Sequence, residues 1–332
     1  VRPPTLRGRG KGITLTTQLS PARRSLGAAL SVSPVALGGN VFGWTADRDA
    51  SFAILDAYVE AGGNFIDTAD VYSAWIPGNS GAESETIIGE WIRSRGRPED
   101  LVIATKVAQF AKRPGLGADN VRAAVDDSLE RLGVEQIDLY YAHRDDPETP
   151  IEETAGVFSE LVDAGKIKAI GVSNYSPARL REWLAAVEKR GLHKPAALQP
   201  EYNLLERDIE GELLPLAHES DIGVVPYFAL AHGFLTGKYR KDVEVDSARA
   251  SSVEQYRNDH GYAIVDAVAG IADAHGVQPG TVALAWLAAQ PGVVAPIASA
   301  RTAEQLPLIT DAFTLELTGD ELKTLDRVSA KA

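Results

Sequence analysis

Four titratable side chains stand where short, apolar, β-prone runs of this chain end. Asp67 closes Asn64-Phe65-Ile66, and Tyr72 follows five residues later. Lys106 closes Val102-Ile103-Ala104-Thr105, and His143 follows the run that begins at Ile137. A carboxylate, a phenol, an amine and an imidazole can together hold and move protons if three consecutive strands bring them to one face. Singly, each has an ordinary explanation: Asp67 as a turn cap, Tyr72 as packing, Lys106 as a solvated charge, His143 as a surface or satisfied core histidine. Jointly the set is much harder to dismiss. Two more strand ends carry polar groups, Ser173-Asn174 and Gln199.

Bringing these groups together requires a regular scaffold. Strands are expected at 35–37, 64–67, 101–105, 137–141, 167–172, 197–199, 223–226 and 293–296. Several lack period-two alternation, as suits parallel strands buried on both faces. Helices are expected between them, at 49–61, 84–94, 118–132, 151–164, 177–190, 209–219, 262–274 and 302–310. Gly62-Gly63, Gly133 and Gly165 mark helix ends, and Ser176-Pro177 marks a helix start. The even strand count and uniform spacing favour an α/β (β/α)8 TIM barrel over an open sheet. Residues 24–33 are expected to form an N-terminal hairpin plugging the barrel floor. Long loops are expected at the C-terminal face, above all 236–260. Residues 24–332 are read as one barrel domain, and 1–23 as a basic, disordered tail.

Composition narrows the partners. Of 332 residues, 45% are hydrophobic and 24% charged, a globular mixture. A formal net charge of −13 argues against nucleic acid or an anionic membrane as partner. Cysteine is absent, which removes thiolate nucleophiles, disulfides and cysteine-based metal sites, and no metal is expected. The apolar stretch 282–289 is too short to span a bilayer, and a cytoplasmic location is expected. The first 46 residues hold six basic and no acidic residues, so a transit peptide is the alternative to a plain tail. No G-x-G-x-x-G follows a strand and no Walker A loop occurs. A nucleotide site must therefore be built in another way.

The segments FIDTADVYS (65–73), VIATKV (102–107), LYYAHRDD (139–146), GVSNYS (171–176), QPEYNLLER (199–207) and PIASARTAEQL (296–306) resemble the aldo-keto reductase superfamily. They do so in order and at the right spacing, over roughly residues 24–330. The resemblance implies hydride transfer between a nicotinamide and a carbonyl carbon, with Asp67, Tyr72, Lys106 and His143 as the catalytic tetrad. Tyr72 would be the general acid. Lys106, held by Asp67, would stabilise the phenolate and lower the phenol's pKa, and His143 would hydrogen-bond the carbonyl oxygen.

The resemblance further implies cofactor contacts. Ser173, Asn174 and Gln199 would hold the nicotinamide carboxamide and Tyr227 would stack on the ring. Gly43, Trp44, Phe228 and Leu230 would lie beside the cofactor. Lys238, Arg249, Ser299, Arg301 and Gln305 would take the pyrophosphate and adenosine end. The cations there favour NADPH (NADP+), with NADH left open. Trp44, Trp75, Phe110 and His232 would wall the substrate site and suit a small carbonyl compound with an apolar body. This chain has Ser299 where the family often has Gly, Leu308-Ile309 where Glu-Asn is usual, Pro307 in the same segment, and Phe228 where Ser is common. A dedicated ketoreductase for a nucleotide-linked keto-sugar or other biosynthetic intermediate is one alternative. A nucleotide-sensing regulatory subunit like the potassium-channel β subunits is another. Monomer and homo-oligomer both stay open.

Overall fold

The structure, a computed structural model, describes residues 21–241, 243, 245 and 250–330. It opens with a hairpin, β1 (Arg24–Leu26) and β2 (Leu30–Val32), paired antiparallel. Eight parallel strands follow: β3 (Ala36–Gly38), β4 (Phe65–Asp67), β5 (Val102–Val107), β6 (Ile137–Ala142), β7 (Ile167–Ser173), β8 (Ala197–Gln199), β9 (Gly223–Val224) and β10 (Ile297–Ala298). They pair in chain order, and β10 lies beside β3. The ring is joined between β9 and β10. There the Val294 N–H donates to the Val224 carbonyl at 2.8 Å, and the Ile297 N–H donates to that of Pro226 at 2.8 Å.

Helices α1 (Arg48–Glu60), α2 (Glu83–Arg95), α3 (Ala118–Leu132), α4 (Ile151–Asp163), α5 (Pro177–Arg190) and α6 (Leu213–Glu219) connect the strands up to β9. Between β9 and β10 come α7 (Asp259–His275) and α8 (Pro279–Ala288). The chain ends with the short α9 (Pro307–Thr310) and α10 (Gly319–Val328).

Strand eight lies later than residues 293–296. Pro226 and Pro296 each lack an N–H, so the ladder is broken here into single bridges and resumes at Ile297. Residues 302–310 form a 3-10 turn, Ala303–Gln305, then α9, because Pro307 interrupts any continuous helix. Two helices went unforeseen. In α8 nearly every side chain is buried, so it has no amphipathic period to read. The start of α10 is set by a capping box between Thr318 and Glu321.

The expected floor plug is present. Leu26, Leu30 and Val32 pack with Ala36, Phe65, Val102, Leu139 and Val225, the inward-facing residues of the barrel. Arg23, at the edge of the expected tail, donates to the Gly62 carbonyl at 2.7 Å and pairs with Asp100 at 2.6 Å. Residues 1–20 of that tail lie outside the described residues.

Candidate active site

The pleat places the chemistry. Along a strand alternate residues face the same side. The inner core holds Phe65, Ala104, Tyr141, Ala197 and Val225. Two residues on from each, one layer higher, stand Asp67, Lys106, His143, Gln199 and Tyr227. Ile66, Ile103, Tyr140 and Val107 face outward into the helix-packed core. A one-residue slip in any strand would turn its polar end group into that apolar layer. Gly171 makes room below: a Cβ there would come within 2.3 Å of the Tyr141 ring.

Lys106 is completely buried and its ammonium has three acceptors: Asp67 Oδ2 at 2.6 Å, the Thr68 carbonyl at 2.8 Å and the Tyr72 hydroxyl at 2.9 Å. The Tyr72 hydroxyl in turn donates to Asp67 Oδ2 at 3.3 Å. Gln199 Nε2 donates to the other Asp67 oxygen at 2.8 Å, tying β8 to β4. Burial pulls the Lys106 ammonium below its ordinary pKa, and Asp67 opposes that shift.

The phenol departs from the sequence-based expectation. Burial, and then the Asp67 carboxylate, hold Tyr72 well above the ordinary phenol value rather than below it. In this arrangement Tyr72 stays protonated. His143 stands edge-on to Tyr72, with ring centroids 6.1 Å apart. Burial, then Lys106 and Arg144, hold its imidazole well below the ordinary value, so it is neutral. Its Nδ1 is buried without a partner among the described residues. The His143 carbonyl accepts from Asn174 Nδ2 at 2.9 Å.

Asp67, Tyr72, His143 and Gln199 line a cavity of about 900 Å³. Ser173, Asn174, Gln199 and Tyr227 form one wall, in which the Tyr227 hydroxyl donates to Asn174 Oδ1 at 2.8 Å and Ser173 Oγ donates to the Gln199 carbonyl at 2.8 Å. Phe228, Leu230, His232 and Lys238 line the cavity from the loop after β9. Phe228 has φ +48° and its ring lies 3.8 Å from that of His232. Ser299, Arg301 and Gln305 line it after β10, where Gln305 Oε1 accepts from the Arg301 N–H at 2.9 Å. Trp44 and Trp75 close the outer side, edge to face at 5.8 Å.

Some expected residues fall elsewhere. Gly43 is outside the cavity lining: its N–H donates to the Ala46 carbonyl at 2.9 Å, and at φ +75° a Cβ would meet Glu83 at 2.7 Å. Phe110 is also outside the lining; it is buried beneath Gly81, whose added Cβ would touch its ring at 2.3 Å. Arg249 lies outside the described residues. Sequence reading missed Asn40, Gln109, Arg144 and Gln278, all of which line the cavity. Gln109 and Arg144 sit just past the strand ends that supply Lys106 and His143, which was the available signal. Asn40 explains Ser299, whose Oγ donates to Asn40 Oδ1 at 2.6 Å. Gly38 is required beside it, since a Cβ there would meet Ser299 Oγ at 2.5 Å.

Residues 34–330 match the Aldo/keto reductase family model. The chain is 34% identical to aldo-keto reductase str7 of Strobilurus tenacellus, over 88% of this chain and 84% of that protein. It is 34% identical to a probable voltage-gated potassium channel subunit beta of Arabidopsis thaliana, over 84% of this chain and 87% of that protein. Among solved structures it is similar to the glycerol dehydrogenase AKR11B4 from Gluconobacter oxydans, with a TM-score of 0.79 and 31% identity, covering 93% of this chain and 95% of that one.

Proposed function

Because the chain belongs to the aldo/keto reductase family, whose members are NAD(P)H-dependent oxidoreductases acting on carbonyl groups, we propose that it reduces aldehydes or ketones to alcohols with NADPH, using Tyr72 as proton donor. One observation carries this reading: the Tyr72 hydroxyl lies 2.9 Å from the buried Lys106 ammonium, and both Tyr72 and His143 line the cavity.

The donor set fits a nicotinamide dinucleotide. One end of the cavity offers Ser173, Asn174 and Gln199 beside an aromatic ring, Tyr227; the β10 end offers Lys238 and Arg301. Amides beside an aromatic face suit a carboxamide ring, and cations suit phosphates. With Leu308-Ile309 lining the adenosine end, preference for NADPH would rest on Lys238 and Arg301 rather than on readout of the adenine. A reduced nicotinamide, when bound, supplies the hydride.

The chain's own residues would do the rest. Neutral His143 donates a hydrogen bond to the carbonyl oxygen and orients it. Tyr72 gives its proton to that oxygen as negative charge develops. Its raised pKa does not prevent this, because an alkoxide is more basic than a phenolate. Lys106 then stabilises the phenolate at 2.9 Å, while Asp67 holds the ammonium in place at 2.6 Å.

Loss of the reduced-nicotinamide absorbance with 4-nitrobenzaldehyde tests the activity. Tyr72→Phe should lower kcat by about 10²-fold or more and leave NADPH affinity nearly intact; an undiminished rate would remove Tyr72 as the acid. Similarity to the potassium-channel subunit supports a regulatory reading as the second choice. Tight NADPH binding with no turnover across an aldehyde and ketone panel would favour it.

A further inference from the structure

Arg144 follows His143 directly and lines the same cavity, yet neither the tetrad nor the cofactor contacts use it. Its side chain is exposed and makes no hydrogen bond or ion pair with any described residue. The hydrogen bonds of the two acids after it go to other groups, although the charge of Arg144 still acts on Asp146. Asp145 accepts two bonds from Arg179, at 2.8 and 2.9 Å. Asp146 accepts from the Leu116 N–H at 2.8 Å and from Thr149 Oγ1 at 2.8 Å. Arg144 also lines a smaller cleft, together with Asp145, Asp146 and Glu148. That acidic side repels an anion, so an anionic group would reach the guanidinium from the catalytic cavity.

Topology separates this charge from the cofactor cations. Arg144 follows β6, Lys238 follows β9 and Arg301 follows β10. In the strand order β6 is four steps from β10, which in an eight-membered ring is the opposite side. Groups bound by Lys238 and Arg301 therefore leave Arg144 free for the substrate. Gln109, which also lines the cavity, adds an amide donor after β5, and Trp44 and Trp75 supply apolar walls.

The geometry points to Arg144 as the specificity-determining residue of this site, selecting carbonyl substrates that carry a carboxylate away from the reacting carbon. The planar guanidinium fork matches a carboxylate with two parallel hydrogen bonds, which a lysine cannot reproduce. This inference rests on the proposed carbonyl reductase activity.

The test compares 4-carboxybenzaldehyde with its neutral methyl ester, methyl 4-formylbenzoate, using the whole protein and NADPH. The wild type should prefer the acid in kcat/KM by about tenfold or more, mainly through KM. Arg144→Gln should lower the acid-to-ester ratio by about tenfold, and Arg144→Lys should restore only part of it. An unchanged ratio in Arg144→Gln, or a wild type that prefers the ester, overturns the inference while ester turnover upholds the reductase reading. Turnover of neither aldehyde overturns both.

Discussion

Asp70 offers a test that is independent of catalysis. It lies three residues past Asp67, almost completely buried, and neither carboxyl oxygen has a hydrogen-bond partner of good geometry among the described residues. Its surroundings include the fully buried Glu85, which accepts from Thr105 Oγ1 at 2.5 Å and from Arg131 at 2.6 Å. Burial, and then the charge of Glu85, push the Asp70 carboxyl up from 3.8 to about 8; Arg131, Lys106 and the Val71 N–H offset only part of this. The unfolded chain therefore gives up this proton near pH 4, whereas the folded chain keeps it to about pH 8. A group that binds more protons when folded contributes stability at low pH, and the contribution is lost as pH rises through the window between the two values. At 1.36 kcal/mol per pKa unit the full loss is about 6 kcal/mol, of which about 4 kcal/mol falls between pH 5 and pH 8. Asp70→Asn keeps the shape and removes the titration. Urea unfolding of both proteins at pH 5, 6.5 and 8 gives the difference in stability at each pH. That difference should move by about 4 kcal/mol in favour of the variant as pH rises. A difference that stays constant would show that Asp70 titrates alike in the folded and unfolded chains, and the account of a buried, protonated carboxyl would fail.

Other consequences are simpler to check. Arg301→Ala should weaken NADPH binding by about tenfold or more and NADH binding far less, read by fluorescence titration; equal losses would argue against a contact to the 2′-phosphate. Lys106→Met should lower kcat by about 10²-fold or more, and because the variant leaves Asp67 buried without its ion pair it should also lower the urea midpoint. Unchanged values of both would contradict the ion pair at 2.6 Å. Gly171→Val would drive its side chain into the Tyr141 ring, where even a Cβ approaches to 2.3 Å; a cost of about 1–3 kcal/mol or more is expected from overpacking, and a wild-type melting temperature would count against this packing.

What could be read from residue order alone was whatever local chemistry enforces. Asp67, Lys106 and His143 were visible because each ends an apolar run, and the strand pleat then carries each onto the inner face. The Arg24–Leu26 and Leu30–Val32 hairpin was visible because a short apolar pair before strand one has few places to be buried other than the barrel floor. The parts that escaped depend on tertiary surroundings. Helix α8 is enclosed on all sides, and Trp286 on it donates to Asp326 of α10 at 2.9 Å; a helix with no solvent face carries no periodic signal. Phe110 has the composition of a pocket wall, yet the turn after β5 folds it under Gly81.

The Tyr72 phenol shows most clearly where such reading stops. A lysine nearby argues for a lowered pKa, and the structure does place that lysine 2.9 Å away. It also places the Asp67 carboxylate 3.3 Å away and shields the half-buried phenol from water, and these two effects act in the opposite direction. The sign of the shift is set by a balance of burial and two opposite charges, which spacing along the chain does not encode. The same holds for Arg144. A single arginine after a strand is ordinarily a solvated charge, and it gains significance only once the hydrogen bonds of Asp145 and Asp146 are seen to go to other groups and the ring order sets it opposite the cations at the β10 end.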